Sequence, residues 1–130
     1  QDPGYDFNTL ATKHLKENTK KTIVDDCFHI KKLKKHIGNL NMSLDDIDLF
    51  ENNEAFALNN VLLRKELGLS YDKINIYGGA IAMGHPIGCS GARIIATLLN
   101  GLGNEGGTHG IASLCHGTGG GTAVAVEMIN

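Results

Sequence analysis

Apolar residues recur at helical spacing from the first well-patterned stretch of the chain onward. Cys27, Ile30, Leu33 and Ile37 fall three to four residues apart, Asp25 or Asp26 stands where a cap belongs, and Gly38 follows the last of them. This predicts a surface helix from about Asp26 to Gly38. Its other face carries Lys31, Lys32, Lys34 and Lys35, which reads as a solvated face more readily than as a phosphate site. Residues 1–22 are polar and weakly patterned, and are expected to form an irregular arm. Ser43 and Asp46 have the spacing of a helix-start cap, yet Asp46 to Glu51 alternates apolar and polar positions and predicts a short strand. In the following stretch Ala55, Leu58, Val61 and Leu62 form one apolar stripe, with Asn59, Arg64 and Lys65 mostly outside it and Gly68 as a stop. A helix beginning at Asn53 or Glu54 follows.

Ile74 to Tyr77 predicts a second strand, ended by Gly78 and Gly79. Ser90 can cap a helix on which Arg93, Thr97 and Asn100 share one narrow line while every other position is apolar or small. A helix apolar nearly all round belongs inside a structure, with partners on more than one side. The runs GIASLC and TAVAVEM predict two strands joined through HGTGGG. The order of elements implies an α/β architecture: a mixed β-sheet with flanking helices, one buried central helix and a C-terminal β-hairpin.

With 130 residues, 42 % of them hydrophobic, the chain has the length of one ordinary domain. A net charge of −2 provides no footprint for nucleic acid or an anionic membrane. Three widely spaced cysteines, Cys27, Cys89 and Cys115, argue against a disulfide framework and for a reducing compartment. The chain shows neither a signal-peptide pattern nor an apolar run of membrane-spanning length. The expected compartment is the cytoplasm, with mitochondrion and peroxisome left open.

Candidate chemistry collects near the predicted strand ends: Asn53 after the first strand, His85 after the second, Cys115 and His116 at the hairpin. Ligands of open α/β sheets gather at such ends. An unperturbed imidazole titrates near neutral pH, which makes His85 a candidate for proton transfer, although a lone histidine is more often structural. Cys115 among small residues reads first as core. The nearby Gly117, Gly119 and Gly120 change that balance, because freed backbone N–H groups beside a thiol form an anion-stabilising pocket. Ser90 lacks the glycine spacing of a hydrolase elbow, and Gly91-Ala92-Arg93 is not the end of a phosphate loop. No His or Cys pair has convincing metal-ligand spacing, so no metal is expected.

Three stretches match one family together: NEAFA at Asn53 to Ala57, GGAIAMGHPIGCSGAR at Gly78 to Arg93, and CHGTGGG at Cys115 to Gly121. In order and separation they resemble the C-terminal half of a thiolase, of the acetyl-CoA acetyltransferase and 3-ketoacyl-CoA thiolase family, over about Ser43 to Glu127. The resemblance implies acyl transfer through a cysteine thioester, with coenzyme A thioesters as substrates and no separate cofactor. By motif position His85 would activate the nucleophilic thiol and help hold a thioester oxygen, and Cys115 would move the α-proton. Asn53 would orient a water at one oxyanion site and the Gly117 N–H would serve the other. Met83, Gly84 and Pro86 would bind substrate.

The nucleophilic cysteine and much of the coenzyme A site are expected on an N-terminal thiolase half or a companion chain, since neither Cys27 nor Cys89 occupies a nucleophile motif. The implied division is residues 1–42 as arm and surface helix, and 43–130 as a thiolase C-terminal-type domain. A homo-oligomer is expected, with no nucleic-acid or membrane partner. The competing reading is a catalytically silent assembly or acyl-CoA-binding module, which would have no chemical need for both His85 and Cys115.

Overall fold

A computed structural model describes Ile30, residues 33–117 and residues 120–129; the predicted arm, the start of the first helix, Cys27, Lys31 and Lys32 lie outside them. The fold centres on a short strand, β1 (Leu49–Asn52), whose four residues are all buried. It pairs in parallel with β2 (His109–His116), Leu49 opposite Gly110 and Asn52 opposite Ser113. β2 continues through a hairpin into antiparallel β3 (Gly120–Glu127), with His109 opposite Glu127 and His116 opposite Gly120. The mixed sheet has the order β1-β2-β3.

Alternation of side chains across this sheet sorts the core into two layers. Phe50 and Ile111 point to one face, where they meet Ile30, Leu33 and Ile37 of α1 (Ile30 and residues 33–39 among those described) and Leu63 and Leu67 of α2 (Ala57–Leu67). Leu49 and Ala112 point to the other, against Ile94, Leu98 and Leu102 of the long helix α4 (Ser90–Glu105). The sheet is thus sandwiched between helices, as expected for an α/β layer. The opposite side of α4 differs from the sequence expectation of cover all round: Ala92, Ala96, Leu99 and Gly103 are exposed among the described residues.

Gly110 makes the close approach of α4 possible. A Cβ there would stand 2.8 Å from Leu98 Cδ1 and 2.9 Å from Leu102 Cδ1, both side chains being fully buried. Gly110→Ala is therefore expected to destabilise the fold by about 1–3 kcal/mol, measured as a lowered thermal midpoint. An unchanged midpoint would mean that the two leucines repack freely.

Several boundaries depart from the sequence pattern, each for a local reason. Helix α1 runs through Gly38 to residue 39. Its stop is Asn41 at φ 55°, with Asn41 N–H donating to Gly38 O and Met42 N–H to Ile37 O, the bonding of a Schellman end. The first strand begins at Leu49 instead of Asp46, because Ser43 N–H and Oγ both donate to Asp46 Oδ2 (2.6 and 2.7 Å) and close a turn. These two bonds hold the Asp46 carboxyl below the ordinary carboxylate value.

Helix α2 starts at Ala57, not at Asn53 or Glu54, and its Gly68 stop is as expected, at φ 69°. Its buried positions are Asn59, Asn60, Leu63 and Leu67, while Val61 of the predicted stripe is half exposed. The buried face is turned because two asparagines find polar partners inside. The second predicted strand reduces to a single parallel bridge between Ile74 and Phe50. Asn75 takes φ 48°, and its side-chain amide accepts from Asn52 N–H and donates to Asn52 O, both at 2.8 Å. One amide group thus does the work of a next strand residue, a competition with the backbone for which asparagine is suited.

Candidate active site

Parallel pairing brings the C-terminal ends of β1 and β2 to one edge of the sheet. Asn53, the first residue beyond β1, is fully buried, and its N–H donates to Ser113 O at 2.8 Å. Cys115 stands two residues further along β2. The second motif reaches the same edge through Glu54. Its Oε2 accepts from Ile81 N–H at 3.0 Å, in the short helix α3 (Ala80–Met83), and its Oε1 accepts from Asn60 Nδ2 at 2.9 Å. Gly79 leaves room for this passage, because a Cβ there would collide with the Glu54 carboxylate and lie 2.7 Å from Asn75 Nδ2. Neighbouring residues of one motif therefore do two jobs: Glu54 anchors the loop, and Asn53 meets what the loop carries.

That loop turns at Gly84, whose φ of 92° is open to glycine at low cost. It presents His85 with Nε2 3.4 Å from Asn53 Nδ2. On the other side of the ring, Nδ1 lies 2.6 Å from the hydroxyl of Ser90, which donates to Pro86 O at 3.1 Å. Ser90 was expected to cap α4; the N-cap is Cys89, and no side chain closes it. Cys89 itself is exposed. Met83, Gly84 and Pro86 are exposed along the same loop.

The Cys115 thiol accepts a hydrogen bond from Asn59 Nδ2 at 3.3 Å. Asn59 is the site neighbour that the sequence pattern missed: it sits outside the predicted apolar stripe, yet it is buried against the thiol. The Oδ1 atoms of Asn53 and Asn59 are buried with no hydrogen-bond partner among the described residues. Buried acceptors of this kind are costly unless something donates to them, and here both belong to amides that touch His85 or Cys115. Gly117, the residue after β2, is exposed, while Thr118 and Gly119 lie outside the described residues. Gly120 is the register partner of His116, and the imidazole lies where a Cβ on Gly120 would be.

Beneath this edge, on the α4 face, Glu51 is buried and paired with Arg93 Nη1 at 3.3 Å. Burial pushes the Glu51 carboxyl up to about 7, Arg93 opposes the rise and Glu54 adds to it. Arg93 closes the second motif, so its conspicuous position in the sequence corresponds to a charge pair under the site. Among the described residues, no group of three His, Cys, Asp or Glu side chains is placed to hold a metal ion. No helix among them is long and apolar enough to cross a membrane.

The site geometry and the three motifs converge with a comparison across known families, in which the model described as thiolase, C-terminal domain, matches residues 13–128. The chain belongs to the thiolase family. Over 96 residues this thiolase chain is 56 % identical to an acetyl-CoA acetyltransferase of Synechocystis, covering 74 % of this chain and 24 % of that protein. It is 53 % identical over 95 residues to the cytosolic acetyl-CoA acetyltransferase of Mus musculus, covering 73 % and 24 %. Its fold superposes on the crystal structure of the Bacillus anthracis acetyl-CoA acetyltransferase with a TM-score of 0.75 at 41 % identity, over 80 % of this chain and 26 % of that one. The thiolase chain thus spans about a quarter of the length of these relatives.

Proposed function

We propose that this chain supplies the acid/base groups of an acyltransferase that exchanges acyl groups between coenzyme A thioesters. The observation that carries the reading is the 3.4 Å approach of Asn53 Nδ2 to His85 Nε2, at the sheet edge where β2 also carries Cys115. His85 accepts the proton of a nucleophilic thiol contributed by a thiolase N-terminal half. The thiolate attacks the ketone carbonyl of a 3-ketoacyl thioester, the bond to the α-carbon breaks, and the enolate that leaves takes a proton from Cys115. The Cys115 thiolate then removes the proton of coenzyme A, whose sulfur displaces the acyl group, and His85 returns its proton to the departing thiolate. Such charge development needs donors set in place beforehand, a role assigned to Asn53 and to the Gly117 N–H. Met83, Gly84 and Pro86, on the loop that carries His85, meet the substrate.

The N-terminal half would also cover the exposed small and apolar residues of α4, and the completed protein is expected to associate with copies of itself. The experiment is thiolysis of acetoacetyl-CoA, followed by loss of its absorbance. The 130-residue chain alone is expected to give no turnover above buffer, and addition of the N-terminal part of the Synechocystis relative is expected to restore it. Robust turnover by the chain alone would overturn the assignment of the nucleophile to other residues. A stable but inactive complex would favour the silent module.

A further inference from the structure

A serine that caps a helix ordinarily spends its hydroxyl on the helix's own N–H groups. Ser90 does not. It is 1 % exposed, its Oγ is 2.6 Å from His85 Nδ1, and the same oxygen is 3.1 Å from Pro86 O. On the far side of the imidazole, Nε2 is 3.4 Å from the Asn53 amide nitrogen, in a side chain buried completely. The four groups form a chain in which proton positions are coupled. The Pro86 carbonyl only accepts and the Asn53 amide nitrogen only donates. A serine hydroxyl has one proton, so when it donates to Pro86 O it accepts from Nδ1–H. Nε2 is then left with its lone pair toward Asn53. Every bond in the chain is satisfied in that one direction, Pro86 O accepting also from the N–H groups of Cys89 and Ser90 at 2.8 and 2.9 Å.

We infer that Ser90 is a positioning residue that holds neutral His85 in the tautomer protonated on Nδ1, with Nε2 unprotonated and facing the Asn53 amide. The arrangement parallels the role of the third group in a nucleophile-base-orienter series, in which the orienting side chain never touches substrate but decides which ring nitrogen is the base. Its use in catalysis rests on the function proposed above; the tautomer itself does not. The spacing of the second motif acquires a physical reason. Ser90 follows His85 by five positions because the chain must turn at residues 87–89 before α4 begins and brings the hydroxyl back under the ring.

The test is a long-range proton-nitrogen correlation spectrum of the full 130-residue chain labelled with 15N-histidine, above the pH at which the ring is neutral. The His85 signals are assigned by their loss in His85→Gln, and the other five histidines serve as internal references. Wild type is expected to show His85 protonated on Nδ1. Ser90→Ala should move the ratio toward the Nε2–H form by about fivefold or more, the factor that one net hydrogen bond represents, while Ser90→Thr, which keeps the hydroxyl, should retain it. A wild-type spectrum dominated by the Nε2–H form would overturn the inference without any variant having to fold. So would an unchanged ratio in a folded Ser90→Ala chain. In the completed enzyme, Ser90→Ala is expected to lower kcat about tenfold with KM little changed and to be rescued by Ser90→Thr. A tautomer that shifts while kcat stays constant would leave the assignment standing and remove His85 from the acid/base role.

Discussion

His85→Ala and Cys115→Ala, each introduced into the completed enzyme, are expected to lower kcat for acetoacetyl-CoA thiolysis by about 100-fold or more. The argument differs for the two residues. His85 is exposed at a loop but held at both ring nitrogens, by Asn53 at 3.4 Å and Ser90 at 2.6 Å. Alanine removes the proton acceptor and also leaves the buried Asn53 amide and the Ser90 hydroxyl short of a partner. Cys115 is held by Asn59 at 3.3 Å, and alanine removes the proton donor to the leaving enolate without changing the strand. KM should change little in both cases, because the groups lost act on the reacting atoms and not on substrate affinity. Cys89→Ala, an exposed thiol outside these contacts, is the control and should stay within about twofold. Unchanged rates in both site variants would favour the silent module.

The largest stability effect is expected at the buried charge pair. Arg93→Met strips Glu51 of its counter-charge, and a lone buried carboxylate is expected to cost about 3 kcal/mol at pH 8. The sign of the pH dependence follows from the raised carboxyl of Glu51. Below 4.5 the folded and unfolded chains both hold its proton, and from 4.5 to about 7 only the folded chain does. The wild-type contribution to stability therefore declines as pH rises through that window and is level above it. At pH 5 the carboxyl is protonated in the fold and needs no partner, so Arg93→Met should cost least there and most at pH 8. Denaturant unfolding at the two pH values measures this. Glu51→Gln combined with Arg93→Met should recover most of the loss at pH 8, and failure to recover it would show that the arginine matters through packing.

Much of the fold was legible in order and type. The two hairpin strands, the long helix from the Ser90 region and the Gly68 stop all appear where periodicity and glycine place them. Three of the misread elements share one cause, the use of asparagine in place of regular structure. Asn41 ends α1 beyond Gly38, Asn75 replaces a strand by a side-chain amide, and Asn59 and Asn60 turn the buried face of α2. A pattern of hydrophobic and polar letters assigns every asparagine to solvent, because it contains no information about a distant polar partner.

The sequence by itself determined the family, the candidate His85, Cys115 and Asn53, and the glycines that let the loop turn. These signals are contiguous stretches whose residue types and spacing are complete within a few positions. Only the tertiary structure decided what each side chain touches. Asn59 reaches Cys115 across 56 positions, Asn53 reaches His85 across 32, and Arg93 reaches Glu51 across 42. Even the nearby Ser90 changes from a cap to the partner of an imidazole, because the direction of a hydroxyl depends on how the preceding turn folds. Hydrogen bonds and ion pairs are short-ranged and directional, so their identity is settled by which chain segments the sheet and helices bring within about 3 Å of each other.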